Sequence, residues 1–349
     1  MASIKDVAKQ AGVSISTVSN VINDTKYVSE ELKLKINQVI KELNYEVDPV
    51  ARSLKSKKTM AIGVIITNIN RIFFPQVIKG IQDAATKNGY NITFCNTDDS
   101  FQTERKLIQM LESNWLDGII LDSVADSEEY EYFKHLSNLG NNKKRIPIVS
   151  LERRMDSYGI ASVVVNNRQG GSLATKHLMD CGCKKIVHIT GPLGSCLVQD
   201  RLLGYKEALL SEGLTVDANL IVEGFFSPLS GYETMKQILM SGVIFDGVFA
   251  ANDQMAIGAI KAIKEQGLRV PEDVKIIGFD NTFVASIIDP SLTTVNVPKY
   301  KLGTVSVDML IHLIEQGINE PECIELPINL VVRQSTDIRG DKNWDLYGW

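Results

Sequence analysis

From Met60 onward, short apolar runs alternate with amphipathic helical patterns, and this alternation restricts the possible folds more than any other feature of the chain. Runs rich in Val and Ile that are joined by helices are typical of parallel strands buried on both faces. One cycle contains AIGVIIT, NITFCN, DGIILD and IPIVSL, and a second contains ASVVVN, KIVHIT, NLIVEG, DGVFAAN and VKIIGFD. We therefore predict an α/β protein with two doubly wound parallel lobes.

The N-terminal stretch IKDVAKQAGVSISTVSNVIN predicts two brief helices, about Ile4 to Ala11 and Ile15 to Ile22. Ala8, Gly12 and Val18 have the spacing of a helix-turn-helix, which needs a small residue at the crossing, a glycine in the turn and an apolar anchor. The break between the helices projects the second one outward. An ordinary helical hairpin is the alternative interpretation.

A third helical pattern, Ser29 to Leu43, carries an apolar stripe and completes a three-helix core. The next stretch, DPVARSLKSKK, begins like a helix with Asp48 as N-cap, yet it is too short to be a stable helix alone in water. We predict a segment that is disordered when free and helical against DNA, with Leu54 as an apolar wedge in the minor groove. A solvated basic linker is the alternative.

Charge is unevenly distributed along the chain. The net charge is −5, but the first 60 residues hold ten Lys and Arg against seven Asp and Glu, which leaves −8 on the remainder. A modestly basic N-terminal segment permits a local phosphate-binding surface without establishing one.

Several classes of protein are disfavoured by patterns that the sequence lacks. No apolar run approaches the roughly 18 to 20 residues that cross a bilayer, and no basic segment followed by an apolar one opens the chain, so we expect a cytoplasmic protein without a membrane partner. The five scattered cysteines are interpreted as reduced thiols. Nucleotide-binding, metalloprotease and serine-hydrolase motifs are absent, and His177, Cys181 and Cys183 lack a fourth ligand nearby. We therefore predict no enzyme, no metal site and no cofactor.

Polar side chains follow the predicted strands at their carboxyl ends, where open α/β sheets bind ligands. Carboxylates and amides bind adjacent hydroxyls while aromatic rings stack on C–H faces, so this inventory suits a sugar. For any single residue, a loop-cap or turn role is the alternative. The predicted effector-binding residues are Asn68, Phe73, Phe74, Glu152, Arg201, Phe226, Asn252 and Asp280. Other polar residues at these strand ends are Asp98, Asp99, Asp122, Arg153, Asn166, Asp253 and Asn281.

Across Ile4 to Ser335, the chain resembles the LacI/GalR family of transcription regulators. The resemblance rests on IKDVAKQAGVSISTVSNVIN, YVSEEL, ELNYEVDPVARSLKSKKTMAIGVI, DGII, HITGPLG, RLLGYKEAL, ANDQMAIGAIKAIKEQGLRVPEDVKIIGFDN and PSLTTV. It implies a helix-turn-helix, a hinge helix that becomes ordered on DNA, and an effector domain like the periplasmic sugar-binding fold.

The resemblance also implies roles for individual positions. Base contacts fall on Ile15, Ser16 and Asn20, phosphate contacts on Thr17 and Ser19, and hinge contacts to DNA on Ala51, Leu54 and Lys55. Arg201, Asn252 and Asp280 match positions that bind sugar hydroxyls, and Phe226 matches a stacking aromatic. Asn20 replaces the arginine that is most frequent there, so the usual operator core sequence is not assumed. The tail GDKNWDLYGW lacks leucine heptads, so we expect a homodimer.

We divide the chain into a helix-turn-helix domain (1–47), a hinge (48–59), an effector domain (60–339) and a tail (340–349). The first lobe is predicted to cover about 60–160 and 292–322, and the second about 161–291 and 323–339. We predict a repressor of a carbohydrate-utilisation operon, whose affinity for operator DNA is switched by a small sugar between the lobes. The alternative is a regulator that responds to a nucleobase or nucleoside corepressor, or to a phosphoprotein partner. The basic N-terminal segment disfavours a ligand-binding protein without DNA function.

Overall fold

The computed structural model describes residues 2–23, 26–45, 58–113, 116–126, 128–141, 144–317 and 321–344. The chain forms two compact units, Met1–Met60 and Ala61–Trp349. Among the described residues, no helix is both long and apolar enough to cross a bilayer.

The first unit is a bundle of three short helices, α1 (Ile4–Ala11), α2 (Ile15–Asn23) and α3 (Glu30–Glu42). These bounds agree with the predicted helices to within one residue at each end. Gly12 ends α1 in the left-handed conformation, at φ +70°, and this lets the chain turn sharply into α2. The buried core of this unit contains Val7, Ala8, Ala11, Val18, Ile36 and Val39.

The second unit contains two six-stranded sheets, each at the centre of one lobe. In chain order the strands are β1 (Ala61–Ile66), β2 (Asn91–Asn96), β3 (Gly118–Leu121), β4 (Gly140–Asn141), β5 (Lys144–Arg145), β6 (Ile148–Leu151), β7 (Ala161–Val165), β8 (Ile186–Thr190), β9 (Ile221–Glu223), β10 (Gly247–Ala250), β11 (Lys275–Asp280), β12 (Thr293–Asn296), β13 (Cys323–Leu326) and β14 (Asn329–Val331). The first sheet has the order β13-β7-β6-β3-β1-β2 and is parallel. The second has the order β14-β12-β11-β10-β8-β9, and β14 runs antiparallel to β12. The short strands β4 and β5 form a separate antiparallel pair.

Helices cover both sheets. The first lobe contains α4 (Phe74–Lys87), α5 (Phe101–Ser113), α6 (Tyr130–Ser137) and α12 (Lys299–Gln316), and the second contains α7 (Asn167–Asp180), α8 (Cys196–Ser211), α9 (Pro228–Ser241), α10 (Asp253–Glu265) and α11 (Phe283–Ile287). Helices α4 and α12 pack closely because both carry glycine at the contact. A Cβ atom on Gly80 would lie 2.2 Å from the carbonyl oxygen of Tyr300, and one on Gly303 would lie 2.2 Å from that of Val77.

The predicted α/β architecture with two doubly wound lobes is confirmed, but the predicted lobe bounds are wrong for three strands. β7 lies beside β6 in the first sheet, whereas the predicted second lobe includes 161–291. β12 lies beside β11 in the second sheet, whereas the predicted first lobe includes 292–322. β13 lies beside β7, whereas the predicted second lobe includes 323–339. An apolar run indicates a buried strand but not its neighbour, because nonlocal hydrogen bonds decide which strands pair. The chain therefore crosses between the lobes after β7, after β12 and after β13.

Candidate DNA-recognition helix and effector cleft

The outer face of α2 is the candidate DNA-recognition surface of the first unit. Val18 is buried in the three-helix core, whereas Ile15 is 45% exposed. Ser14 caps the helix, since its hydroxyl oxygen accepts the backbone N–H of Thr17 at 3.1 Å. The other predicted contact residues of α2 are exposed or partly exposed, namely Ser16, Thr17, Ser19 and Asn20. The predicted hinge residues Ala51, Leu54 and Lys55 lie outside the described residues.

A cavity of about 410 Å³ lies between the two lobes of the second unit. Seven of the eight predicted effector-binding residues line it, namely Phe73, Phe74, Glu152, Arg201, Phe226, Asn252 and Asp280. Asn68 is not among the lining residues. Its amide nitrogen donates to Asp99 at 2.7 Å, and its side-chain oxygen accepts the backbone N–H of Asn70 at 3.0 Å, so both polar groups serve the loop itself.

Arg201 supplies a fixed positive charge on the second-lobe wall of the cavity. The side chain projects from α8 and is only 2% exposed. Its Nε donates to Asn167 Oδ1 at 2.8 Å, and its Nη1 donates to the carbonyl oxygen of Ala251 at 2.5 Å. The guanidinium also lies over the ring of Phe279, with Cζ 3.7 Å from the ring centroid. These contacts orient the group before any ligand arrives.

Asp280 ends β11 beside Arg201 in an unusual backbone conformation, at φ +104°. Burial raises the pKa of its carboxyl well above the ordinary value, and the charge of Arg201 opposes that rise. No group in the described part of the chain donates a hydrogen bond to this carboxylate. Because a buried carboxylate needs donors, Asp280 is ready to accept hydrogen bonds from a ligand.

Asn252 and Phe226 are positioned by each other. Asn252 Oδ1 caps α10 by accepting the backbone N–H of Met255 at 2.9 Å, and its Nδ2 donates to the carbonyl oxygen of Phe226 at 3.0 Å. The Asn252 amide therefore already makes two bonds within the second lobe. Phe226 adopts a left-handed conformation at φ +58°, and a Cβ on Gly191 would lie 2.3 Å from its ring. Only a glycine at position 191 leaves room for the ring in this orientation.

Two buried carboxyl groups lie on the first-lobe wall. Asp122 accepts a hydrogen bond from the hydroxyl of Thr67 at 2.8 Å, and burial raises its pKa to about 6. Glu152 adopts a left-handed conformation at φ +62°, and burial raises its pKa to about 7 while Arg201 opposes the rise. Its Oε1 is buried without a hydrogen-bond partner in the described residues. Like Asp280, Glu152 lines the cavity without a hydrogen-bond donor to its carboxyl group among the described residues.

Arg71 spans the mouth of the cavity from the first lobe. Its Nη1 donates to Thr67 Oγ1 at 3.0 Å and its Nη2 to Asp99 Oδ1 at 2.5 Å. Its guanidinium carbon lies 4.7 Å from the centroid of the Phe226 ring on the other lobe. The backbone N–H of the next residue, Ile72, also crosses the cleft, donating to Gln254 Oε1 at 3.0 Å. The lobes are therefore in contact at the segment 71–72.

The remaining lining residues differ in their sequence signal. Asp99, Asp122 and Arg153 stand at strand ends, where the sequence places polar groups, although we did not include them in the predicted site. Thr67 ends the run AIGVIIT and Pro192 lies in HITGPLG, but neither was singled out as a site residue. The other lining residues carry no motif signal, namely Arg71, Phe101, Ser123, Val124, Asp126, Ser195, Leu197 and Phe225. Loop conformation brings these side chains to the cavity, and periodicity does not report loop conformation.

The composition of the lining favours a neutral ligand that is rich in hydrogen-bond donors. Among the described residues, five carboxyl groups and three guanidinium groups line the cavity. Because burial raises the pKa of Asp122, Glu152 and Asp280, the acidic and basic charges of the lining are closer to balance than this count suggests. Ligand hydroxyl groups would form hydrogen bonds with Glu152 and Asp280. No group of three or more His, Cys, Asp or Glu residues in the described ranges is arranged to hold a metal ion.

Comparisons with known proteins agree with this fold. Residues 3–48 match the profile of bacterial regulatory proteins of the lacI family, and residues 175–336 match a periplasmic binding protein-like domain. The chain is 39% identical to a ribose operon repressor of Halalkalibacterium halodurans, over 98% of this chain and 99% of that protein. It is 38% identical to the HTH-type transcriptional repressor PurR of Pasteurella multocida, over 97% of this chain and 100% of that protein. The lac repressor dimer bound to operator and the anti-inducer ONPF has a TM-score of 0.86 to it at 30% identity, covering 96% of this chain and 99% of that one.

Proposed function

Because this chain belongs to the lacI family of bacterial regulatory proteins and is a DNA-binding repressor, we propose that a small neutral sugar, held between its two lobes, switches its affinity for operator DNA. The observation that carries the proposal is the pair of acceptors at Glu152 and Asp280 on opposite walls of the cavity. Each lacks a protein donor among the described residues, so each is available to ligand hydroxyls. Arg201, on the same second-lobe wall as Asp280, would donate hydrogen bonds to ligand oxygens.

On DNA, we propose that Ile15, Ser16 and Asn20 contact base edges, while Thr17 and Ser19 contact phosphates. Ala51, Leu54 and Lys55 are proposed to contact the minor groove when the hinge becomes ordered on DNA. Two chains bind one operator as a homodimer in the cytoplasm, and the role of the protein is binding and switching rather than catalysis. The operon that we propose as its target encodes carbohydrate utilisation.

Thermal unfolding with a panel of ligands tests the effector. D-Ribose is the first probe, since a ribose operon repressor is among the similar proteins. A ligand at 100 times its dissociation constant adds about 2.7 kcal/mol to the free energy of unfolding, which produces a clear shift in Tm. A shift with D-ribose or another neutral sugar, together with a change in operator affinity, supports the proposal. A shift with phosphorylated sugars alone would contradict it, because the proposed effector is a neutral sugar.

A nucleobase is the second candidate effector. Its flat ring would fit between the phenylalanines of the cavity, Phe73, Phe74 and Phe226, and its N–H groups would donate to the same carboxylates. The similarity to a repressor named PurR favours including a nucleobase in the ligand panel. Hypoxanthine in the same panel separates the two candidates, because a shift with hypoxanthine and none with any sugar would select the nucleobase.

A further inference from the structure

Lys299 is a buried lysine at the point where the chain crosses from β12 to α12. It is the first residue of α12 and is 4% exposed. Its Nζ donates to the carbonyl oxygens of Asp280 at 2.5 Å, Asn281 at 2.8 Å and Val297 at 3.3 Å. A buried ammonium is costly unless it is hydrogen-bonded, and here backbone carbonyls satisfy it.

Two of the three carbonyl oxygens belong to residues in left-handed backbone conformations. Asp280 has φ +104° and Asn281 has φ +52°. Left-handed backbone is strained for residues other than glycine, so surrounding groups must hold these two residues there. Lys299 bonds directly to the backbone whose conformation aims the Asp280 side chain at the cavity.

Three acidic side chains lie close enough to the ammonium for its charge to act on them. Its charge opposes the rise that burial causes in the pKa of Asp280, Asp253 and Glu152. Asp253 in turn accepts the backbone N–H of Thr282 at 2.6 Å, next to the left-handed pair. The lysine is therefore placed to influence both the geometry and the ionisation of the acceptors in the cavity.

The same lysine connects the two lobes. Asp280 ends a strand of the second sheet, whereas α12 packs on α4 and on the first sheet. Helix α4 begins at Phe74, which lines the cavity from the first lobe. A displacement of the Asp280 backbone in the second lobe would thus pull on the first turn of a first-lobe helix.

We propose that Lys299 is a positioning residue of the effector site: it holds the Asp280–Asn281 backbone so that the Asp280 carboxylate faces the cavity, and it links that backbone to α12 of the first lobe. The part of this inference that concerns ligand affinity rests on the proposed function, because Asp280 is assigned there to the effector. The part that concerns backbone order does not require a ligand.

A double-mutant cycle between Lys299 and Asp280 tests the ligand part. Isothermal titration with D-ribose, or with hypoxanthine if ribose does not bind, compares the parent, Lys299→Met, Asp280→Asn and the double variant. Lys299→Met should weaken affinity at least tenfold in the parent and less than threefold in the Asp280→Asn background. Equal losses in both backgrounds would overturn the proposal, since a purely structural lysine would not act through Asp280. Lys301→Met is the matched control, because Lys301 is an exposed lysine of the same helix turn. The ligand affinity of this variant should equal that of the parent.

Hydrogen–deuterium exchange on the ligand-free protein tests the backbone part. The N–H groups of Asn281 and Thr282 donate to Thr294 Oγ1 and Asp253 Oδ2, so their exchange reports the order of this turn. Exchange there should be at least several-fold faster in Lys299→Met than in the parent or in Lys301→Met, and unchanged exchange would refute the inference. If Lys299→Met does not fold, Lys299→Gln replaces it in both measurements. Its shorter, neutral amide has only two N–H donors for three carbonyls, so the same changes are expected in the same direction. Absence of any ligand for the parent would count against the proposed function, while the exchange result would still decide the role of Lys299.

Discussion

The guanidinium carbon of Arg71 in the first lobe lies 4.7 Å from the centre of the Phe226 ring in the second. The guanidinium is held from its own lobe by Thr67 and Asp99, so the contact joins a fixed charge to a fixed ring. It covers the ring face that a stacking ligand would use. Closure of the cleft without ligand therefore depends in part on a contact that a ligand must displace or share.

Arg71→Ala should shift the ligand-free protein toward open lobes. Cation–π contacts contribute about 0.5–2 kcal/mol, which corresponds to an opening equilibrium shifted about twofold to thirtyfold. The backbone N–H of Ile72 bonds to Gln254 only across the closed cleft, so its hydrogen exchange measures this shift. Arg269→Ala is the control, because Arg269 pairs with Asp273 on the surface of the second lobe. Identical exchange in Arg71→Ala and parent would show that the contact does not hold the lobes.

Asn20→Ala should weaken specific operator binding by about 1–3 kcal/mol while sparing nonspecific binding, since asparagine pairs bidentately with adenine in the major groove. Titration of operator and random duplexes at one salt concentration measures both affinities. Asn37→Ala on the exposed side of α3 is the matched control and should bind like the parent. Equal losses on both duplexes would mean that Asn20 contacts only the DNA backbone.

Leu54→Ser should weaken operator binding without changing the free energy of unfolding, because we expect Leu54 to act as a wedge only on bent DNA. Operator titration and thermal unfolding are measured on the same preparation. Leu34→Ser is the matched leucine control, since Leu34 is 70% exposed on α3. A large decrease in Tm for Leu54→Ser would instead identify Leu54 as a core residue.

Arg201→Ala and Asp280→Asn should each weaken effector affinity by one to two orders of magnitude, because charge-assisted hydrogen bonds are worth about 1.5–3 kcal/mol. Operator affinity without ligand should stay near that of the parent, so the variants should repress without responding. Titration calorimetry with D-ribose measures effector affinity. Operator titrations with and without the sugar measure the response. If both variants bind D-ribose like the parent, the effector site lies elsewhere.

Effector affinity should increase with pH between about 5.5 and 8. The pKa of Glu152 is raised to about 7 by burial, and a ligand hydroxyl that donates to the ionised carboxylate favours the charged form. Affinity is therefore lost as the pH falls through 7, and the raised pKa of the Asp280 carboxyl acts in the same direction. Titrations across this range should show the slope in the parent, and Glu152→Gln should reduce it. A slope that persists unchanged in Glu152→Gln would assign it to another group.

The contribution of Glu152 to the free energy of unfolding should decrease as the pH rises, whereas its contribution to effector affinity should increase. Because burial raises its pKa from 4.5 to about 7, the folded protein binds the proton more tightly than the unfolded chain does. This group therefore destabilises the fold above pH 7, and the penalty is relieved as the pH falls toward 4.5. The buried His188 opposes this trend, since burial lowers its pKa to about 4. Comparing the unfolding free energies of Glu152→Gln and the parent isolates the carboxyl contribution.

The sequence by itself determined the features that depend on local patterns. Helix periodicity and the Gly12 turn predicted the three-helix unit, because caps, turns and apolar stripes are encoded within a few residues. Alternation of Val- and Ile-rich runs with helices predicted two parallel α/β lobes, since strands buried on both faces need apolar side chains throughout. The rule that ligands bind beyond strand ends, the nearby aromatic residues and the family resemblance together led to seven residues that line the cleft.

Only the tertiary structure decided which strands share a sheet and which loops meet at the cleft. β7, β12 and β13 each pair with strands distant in sequence, and no local pattern specifies those partners. No motif or strand-end position in the sequence singles out Arg71 or Lys299. The fold places one on an aromatic ring of the opposite lobe and buries the other among backbone carbonyls. Such roles arise from nonlocal packing, where the cost of burying a charge is offset by groups that the chain brings together only on folding.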